Sequence, residues 1–149
     1  MEVGAFLTPK SEVVWVSASG TVEQALERMK PNGFAAVPIL DDEGCYVGTL
    51  STSDLMWFLL GAGSAWQELA RTTALLTVPR GPSVSALRVD ASVAALTNAV
   101  IEQSFVSVVD DSGVFVGIVR RRPVVEYCVR VAGLARGEPA VRPDARQAK

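Results

Sequence analysis

The chain contains no histidine and only two cysteines among its 149 residues. The first absence removes the commonest general base and the commonest metal ligand. Cys45 and Cys128 are too few and too far apart for a zinc site or a disulfide framework, so both are expected as buried free thiols. Charge is equally sparse. A net charge of −2 with 20% charged residues gives no electrostatic reason to bind nucleic acid. Long apolar runs are missing too: the longest uncharged stretch, Leu55 to Gln67, falls short of the roughly 20 residues that cross a bilayer. No basic-then-apolar signal opens the chain, and a cytoplasmic protein without a membrane partner is expected. With no histidine, no nucleophile–base pair and no metal cluster, the sequence offers no catalytic constellation, and the protein is not expected to be an enzyme.

What is present is a repeat. FAAVPILDDEGCYVGTLS (34–51) aligns with FVSVVDDSGVFVGIVR (105–120), placing Gly44 over Gly113 and Gly48 over Gly117, in both cases 69 positions apart. Each copy reads as an apolar run, an Asp-Asp-x-Gly turn and a second apolar run, which is the pattern of a β-hairpin. Upstream lies a helix-period segment in each: Val22, Ala25, Leu26 and Met29 in one, Val93, Leu96 and Val100 in the other. Thr21 and Ser92 stand where a helix cap belongs, and Gln24 completes a capping-box spacing with Thr21. Short extended runs precede the helices (13–16 and 84–87), and apolar helices follow the hairpins (55–60 and 124–131). The unit is strand, helix, strand, strand, helix, used twice. Copy one carries two extra residues in Lys30-Pro31-Asn32-Gly33.

Such a pair predicts an α+β fold in which two pseudo-twofold-related repeats pack into one compact module, each covering a sheet face the other leaves open. The boundaries follow as an N-terminal segment 1–8, repeat one over 9–66, a linker and repeat two over 67–133, and a flexible tail 134–149 rich in proline and mixed charge.

Gly33, Pro38, Gly44, Gly48, Ser51 and Asp54, spaced as Gly-x-x-x-(apolar)-Pro, Asp-x-x-Gly-x-x-(apolar)-Gly and Ser-x-x-Asp-Leu, resemble the CBS domain, named for cystathionine β-synthase. The segment from about 9 to 131 is similar to a tandem CBS pair, with the second copy further from the pattern. With Arg121-Arg122, it also resembles small stand-alone bacterial CBS-pair proteins, some of which bind cyclic di-AMP.

Ser51-x-x-Asp54 admits two readings on chemistry alone. It is a capping box at a helix start, or it is a carboxylate for ribose hydroxyls beside a phosphate-facing helix end. The resemblance implies the second. Copy two replaces Ser51 with Arg120 and Asp54 with Pro123, so it has no ribose acid and instead presents Arg120-Arg121-Arg122. Arg121 and Arg122 are the expected phosphate ligands, because guanidinium forks bind oxygen pairs. Ala35 and Ala36 are small enough to let a ring approach the backbone, with Val13, Val14 and Trp15 on the preceding run as the opposite wall or as ordinary core, the core being the stronger reading for Trp15. By the family pattern, backbone near Ala36, Val37 and Pro38 reads the base. The resemblance therefore implies a regulatory module for AMP, ADP, ATP or cyclic di-AMP that signals to a partner protein. A nucleotide-independent interaction scaffold is the alternative. The all-round apolar helix 55–60 predicts a homodimer, since no surface helix tolerates such a face.

Overall fold

The computed structural model describes residues 3–33, 35–81 and 85–133. In chain order these form β1 (Leu7–Pro9), β2 (Val16–Ser17), α1 (Val22–Met29), β3 (Ala36–Leu40), β4 (Tyr46–Ser51), α2 (Thr52–Leu60), α3 (Trp66–Thr72), β5 (Leu87–Arg88), α4 (Val93–Glu102), β6 (Phe105–Val109), β7 (Phe115–Arg120) and α5 (Arg121–Val131). The strand–helix–strand–strand–helix unit thus occurs twice, as the repeat requires. One sheet has the order β2-β3-β4 and the other β1-β7-β6-β5. In each, a parallel first pair is followed by an antiparallel hairpin, and both hairpins shift register at the same place, Ile39/Leu40 and Val108/Val109. The expected tail 134–149 lies outside the described residues, as does Val84 of the second extended run. No helix among the described residues is long and apolar enough to cross a membrane.

Local chemistry explains the repeated elements. Thr21 Oγ1 accepts from the Gln24 amide at 3.3 Å while the Gln24 side chain accepts from Thr21 N at 3.0 Å, closing the box that starts α1. Ser92 caps α4 through the Ala95 amide. In the hairpins, Asp41 Oδ1 accepts from the amides of Glu43 and Cys45, and Asp110 Oδ1 accepts in the same way from Ser112 and Val114. These Asx turns bring the chain to Gly44 (φ 82°) and Gly113 (φ 84°), a backbone region that favours glycine.

The two turns then bond to each other. Phe115 N donates to Gly44 O at 2.9 Å and Tyr46 N donates to Gly113 O at 3.3 Å, a reciprocal exchange across the pseudo-twofold axis. Beneath them Leu40, Phe115 and Ile118 are buried, with Val13, Trp15, Tyr46 and Phe105 packed against them. Trp15 is core-packed here, as its apolar setting suggests, and Lys10 and Arg28 both lie over its ring at 5.3 and 5.2 Å. Both cysteines are free and half-buried. Partial burial, followed by the Asp41, Glu43 and Asp110 carboxylates, holds the Cys45 thiol above its ordinary pKa.

Each repeat keeps its own helix-side core, around Val22, Ile39, Leu50 and Leu55 in the first and around Leu96, Val106, Val119 and Val124 in the second. The segment leading into each repeat, however, packs on the other one. Val3 is fully buried in the second core, and β1 pairs antiparallel with β7. Leu75 and Val78, on the way to the second repeat, are buried in the first core. Sequence periodicity does not reveal this exchange, because β1 is three residues long and its partner lies more than a hundred positions away.

The exchange depends on close backbone approach at Gly117. A Cβ there would stand 2.1 Å from the Thr8 carbonyl oxygen and 2.9 Å from Leu7 Cδ1. Gly117→Ala should therefore pry β1 off the sheet and cost about 1 to 3 kcal/mol. Gly4→Ala, where nothing lies within 4 Å, should stay within about 0.5 kcal/mol of the parent. Denaturant unfolding of the two variants tests this, and equal midpoints would show that β1 contributes nothing to the second repeat.

Candidate functional site

A cavity of about 270 Å³ opens between the repeats. One wall is the start of β3 with the residue before it, Ala35, Ala36, Val37 and Pro38. A second is Val13 and Val14 from the run before β2. Ser104, Phe105, Ile118 and Arg120 from the other repeat close it. Both hairpins contribute because their strands diverge from the bonded turns toward this end. The walls are largely apolar, with Arg120 the only charged residue among those lining it.

The two β-strand-to-helix junctions flank the cavity symmetrically. Ser51 is the cross-strand partner of Ala36, and Arg120 is the partner of Phe105. At both junctions the first helical amide is tied to the wall: Thr52 N donates to Ala35 O at 2.8 Å, and Arg121 N donates to Ser104 O at 2.9 Å. Beyond that the junctions differ. Ser51 Oγ accepts from the Asp54 amide and Asp54 Oδ2 accepts from Ser51 N, both at 3.0 Å, so α2 starts with a complete capping box. The other carboxylate oxygen, Oδ1, accepts from Gly81 N of the inter-repeat linker at 3.1 Å. α5 has no side-chain cap.

Of the residues expected at the site, Val14, Ala35, Ala36, Val37 and Pro38 come together in the cavity wall. Ser51 and Asp54 sit on the adjoining strand end and helix start without lining the cavity itself. Arg121 and Arg122 are not brought there. Arg121 Nε reaches back to Val100 O at 2.7 Å and Gln103 O at 3.2 Å, satisfying carbonyls at the end of α4. Arg122 pairs with Glu126 one turn along α5 at 2.9 Å and is largely exposed. Of the three consecutive arginines it is Arg120 that enters the cavity. Arg120 ends β7 opposite Phe105, which also lines the cavity. Ser104 and Phe105 were also missed, because the second copy's hairpin start carries no motif residue.

At the corresponding wall position of the second repeat, Ser107 stands where Pro38 stands in the first. Its hydroxyl is buried without a hydrogen-bond partner among the described residues. Pro123 occupies the place of Asp54, and its side chain can neither accept nor donate there. The second repeat's junction is therefore chemically different from the first, not a copy of it.

Two similar repeats, interlocked by their leading segments and enclosing a cleft, define a paired-repeat module. Residues 3–61 match the family model of the CBS domain, and the chain has the fold of solved CBS-domain proteins. The plant protein "CBS domain-containing protein CBSX1, chloroplastic" of Arabidopsis thaliana is 26% identical over 152 residues, covering 87% of this chain and 64% of that protein; the chain thus spans under two thirds of that relative's length. Among solved structures, the CbpB protein of Listeria monocytogenes in complex with c-di-AMP is 22% identical at a TM-score of 0.76, with 89% of this chain and 98% of that one covered. CBSX2 in complex with AMP is 25% identical at a TM-score of 0.65, with 88% and 98% covered.

Asp54 joins three backbone segments, and its removal has a structural cost whatever else it binds. Asp54→Ala should lower stability by about 1 to 3 kcal/mol, through the lost box and the stranded Gly81 amide. Glu68→Ala, which breaks only an exposed pair with Arg71, should change it by less than about 1 kcal/mol. Thermal unfolding of both variants checks the difference, and no loss for Asp54→Ala would mean the box is not formed in solution.

Proposed function

We propose that the protein is a regulatory module that binds an adenine nucleotide, AMP, ADP, ATP or cyclic di-AMP, in the inter-repeat cleft and transmits occupancy to a partner protein. The observation that carries this reading is an apolar slot and a cation sharing one cavity, with a carboxylate on the adjoining helix start. Ala35 to Pro38 and Val14 form a narrow apolar slot of the kind a purine ring fills. Asp54, held in its capping box, stands on the adjoining helix start as acceptor for ribose hydroxyls. Arg120 reaches in from the opposite repeat as a cation for phosphate. The relatives that bind c-di-AMP and AMP support the ligand class.

In this reading Arg120 takes the leading phosphate role among the three arginines, while Arg121 supports α4 and Arg122 lies on the rim. Calorimetric titration of the intact chain with adenosine, AMP, ADP, ATP and cyclic di-AMP tests it. Arg120→Ala should weaken the phosphorylated ligands about ten- to a hundredfold, the equivalent of about 1.5 to 3 kcal/mol, and leave adenosine nearly untouched. Arg122→Ala should have little effect on any of them. Equal losses for adenosine and ATP would make Arg120 a packing residue, and the absence of binding by all five ligands would leave the interaction scaffold.

Transmission needs a surface, and we infer that it is shared between two copies. In α2 and α3, Met56, Trp57, Leu60 and Trp66 are 48%, 71%, 65% and 43% exposed, and Val125 and Val131 of α5 are 48% and 67% exposed. Equivalent apolar helices of both repeats are thus left uncovered, which fits burial against the same helices of a second chain. Sedimentation at micromolar concentration should return twice the 15.8 kDa chain mass, and Trp57→Glu should return the monomer. A monomeric parent protein would remove the dimer and leave the apolar face to a different partner.

A further inference from the structure

Resting on the dimer reading above, we infer that two copies associate with the first repeat of each seated on the second repeat of the other, the end of α4 of one copy filling a groove in its partner. The groove lies between the end of α1 and α2 and has a volume of about 490 Å³. Leu26, Met29, Leu55, Met56 and Leu59 make it apolar, and Lys30 and Thr52 stand among its lining residues. The second repeat treats the equivalent place differently. Thr52 aligns with Arg121, whose Nε donates to Val100 O at 2.7 Å and to Gln103 O at 3.2 Å, so a guanidinium spans from the start of α5 to the end of α4. The first repeat has a short threonine there and two extra residues after α1, and its helices leave a space.

One repeat therefore carries a hollow and the other a ridge. With Val22 over Val93 and Thr52 over Arg121, Ile101 and Val125 fall at the positions of Lys30 and Met56, two residues of the groove. Ile101 is 67% exposed and Val125 48% exposed. Setting hollow against hollow would leave apolar walls with no facing atoms to contact, and setting ridge against ridge would hold the copies apart. Hollow against ridge fills the space, and a twofold axis makes the contact occur twice. Charge favours the same arrangement. Lys30 and Glu102 are both exposed, and neither has an ion pair among the described residues. When Ile101 enters the groove, its neighbour Glu102 arrives at Lys30 of the other copy, whereas like repeats together would bring two Lys30 side chains face to face.

An equimolar mixture of a Lys30→Cys chain and a Glu102→Cys chain, exchanged at micromolar concentration and treated with a short bis-maleimide, tests the arrangement. Peptide mapping should find position 30 of one chain joined to position 102 of the other, and each variant alone should give no 30–30 or 102–102 product. In sedimentation of the intact chain, Ile101→Glu should raise the dimer Kd at least about tenfold, as loss of a central anchor does. Lys30→Glu and Glu102→Lys should each raise it about two- to thirtyfold, the range of an exposed pair made twice. The two changes combined in one chain should restore the parent value. A 30–30 or 102–102 product, no product from a dimeric protein, or a combined charge reversal no better than either single change would overturn this arrangement while leaving the dimer in place. A monomeric parent protein would overturn the dimer reading itself.

Discussion

The module is organised by the bonding of its two hairpin turns to each other. Each turn is a tight Asx turn ending on a positive-φ glycine, and each offers a carbonyl to the strand that follows the other: Gly44 O to Phe115 N and Gly113 O to Tyr46 N. Because these amides and carbonyls sit beside buried Leu40, Phe115 and Ile118, leaving them unpaired would cost about 1 to 3 kcal/mol each. Fixing the turns fixes the relative position of the sheets. The ends of the hairpins remote from the turns then face one another, and the space between them is the cleft lined by Ala36 from one repeat and Arg120 from the other.

On this nearly symmetric frame the chemistry is one-sided. The backbone contacts are kept in pairs: Thr52 N to Ala35 O matches Arg121 N to Ser104 O, and Ala18 N to Leu40 O matches Val89 N to Val109 O. The side chains at the junctions are not. Ser51 and Asp54 close a capping box, whereas Arg120 and Pro123 leave α5 uncapped and turn a guanidinium into the cavity. Of these two residues of the second repeat, Arg120 supplies a cation to the cleft that both repeats line, and Pro123 leaves its own junction without a side-chain acceptor.

Asp54 carries a structural role that leaves part of its acceptor capacity unused. Its capping bonds use half of the acceptor capacity of the carboxylate, and the same bonds orient what remains. The contact to Gly81 also ties the site to the linker that carries Val78 into the first core. The start of α2 and the path between the repeats are therefore mechanically joined at one residue, and α2 is the helix that leaves Trp57 and Leu60 exposed.

Much of this was determined locally and could be read from the chain. The hairpins follow from the Asp-Asp-x-Gly turns, the helix starts from Thr21, Ser51 and Ser92, and the two-fold repetition from the alignment of Gly44 with Gly113, because each depends on residues within a few positions of one another. The slot of Ala35 to Pro38 was legible for the same reason: small residues before a strand proline need no distant partner to be recognised. Only the tertiary structure decided where β1 goes, since three residues carry no periodic signal and their register with β7 is set by the packing of Val3 and the open approach at Gly117. Only it decided which arginine enters the cleft. Arg120, Arg121 and Arg122 are identical in the sequence, and they part company because a strand end points one side chain across the sheet while the first turn of a helix directs the next two to the end of α4 and to Glu126. Composition and spacing specify the elements; the direction of a side chain at the point where strand becomes helix is fixed by the fold around it.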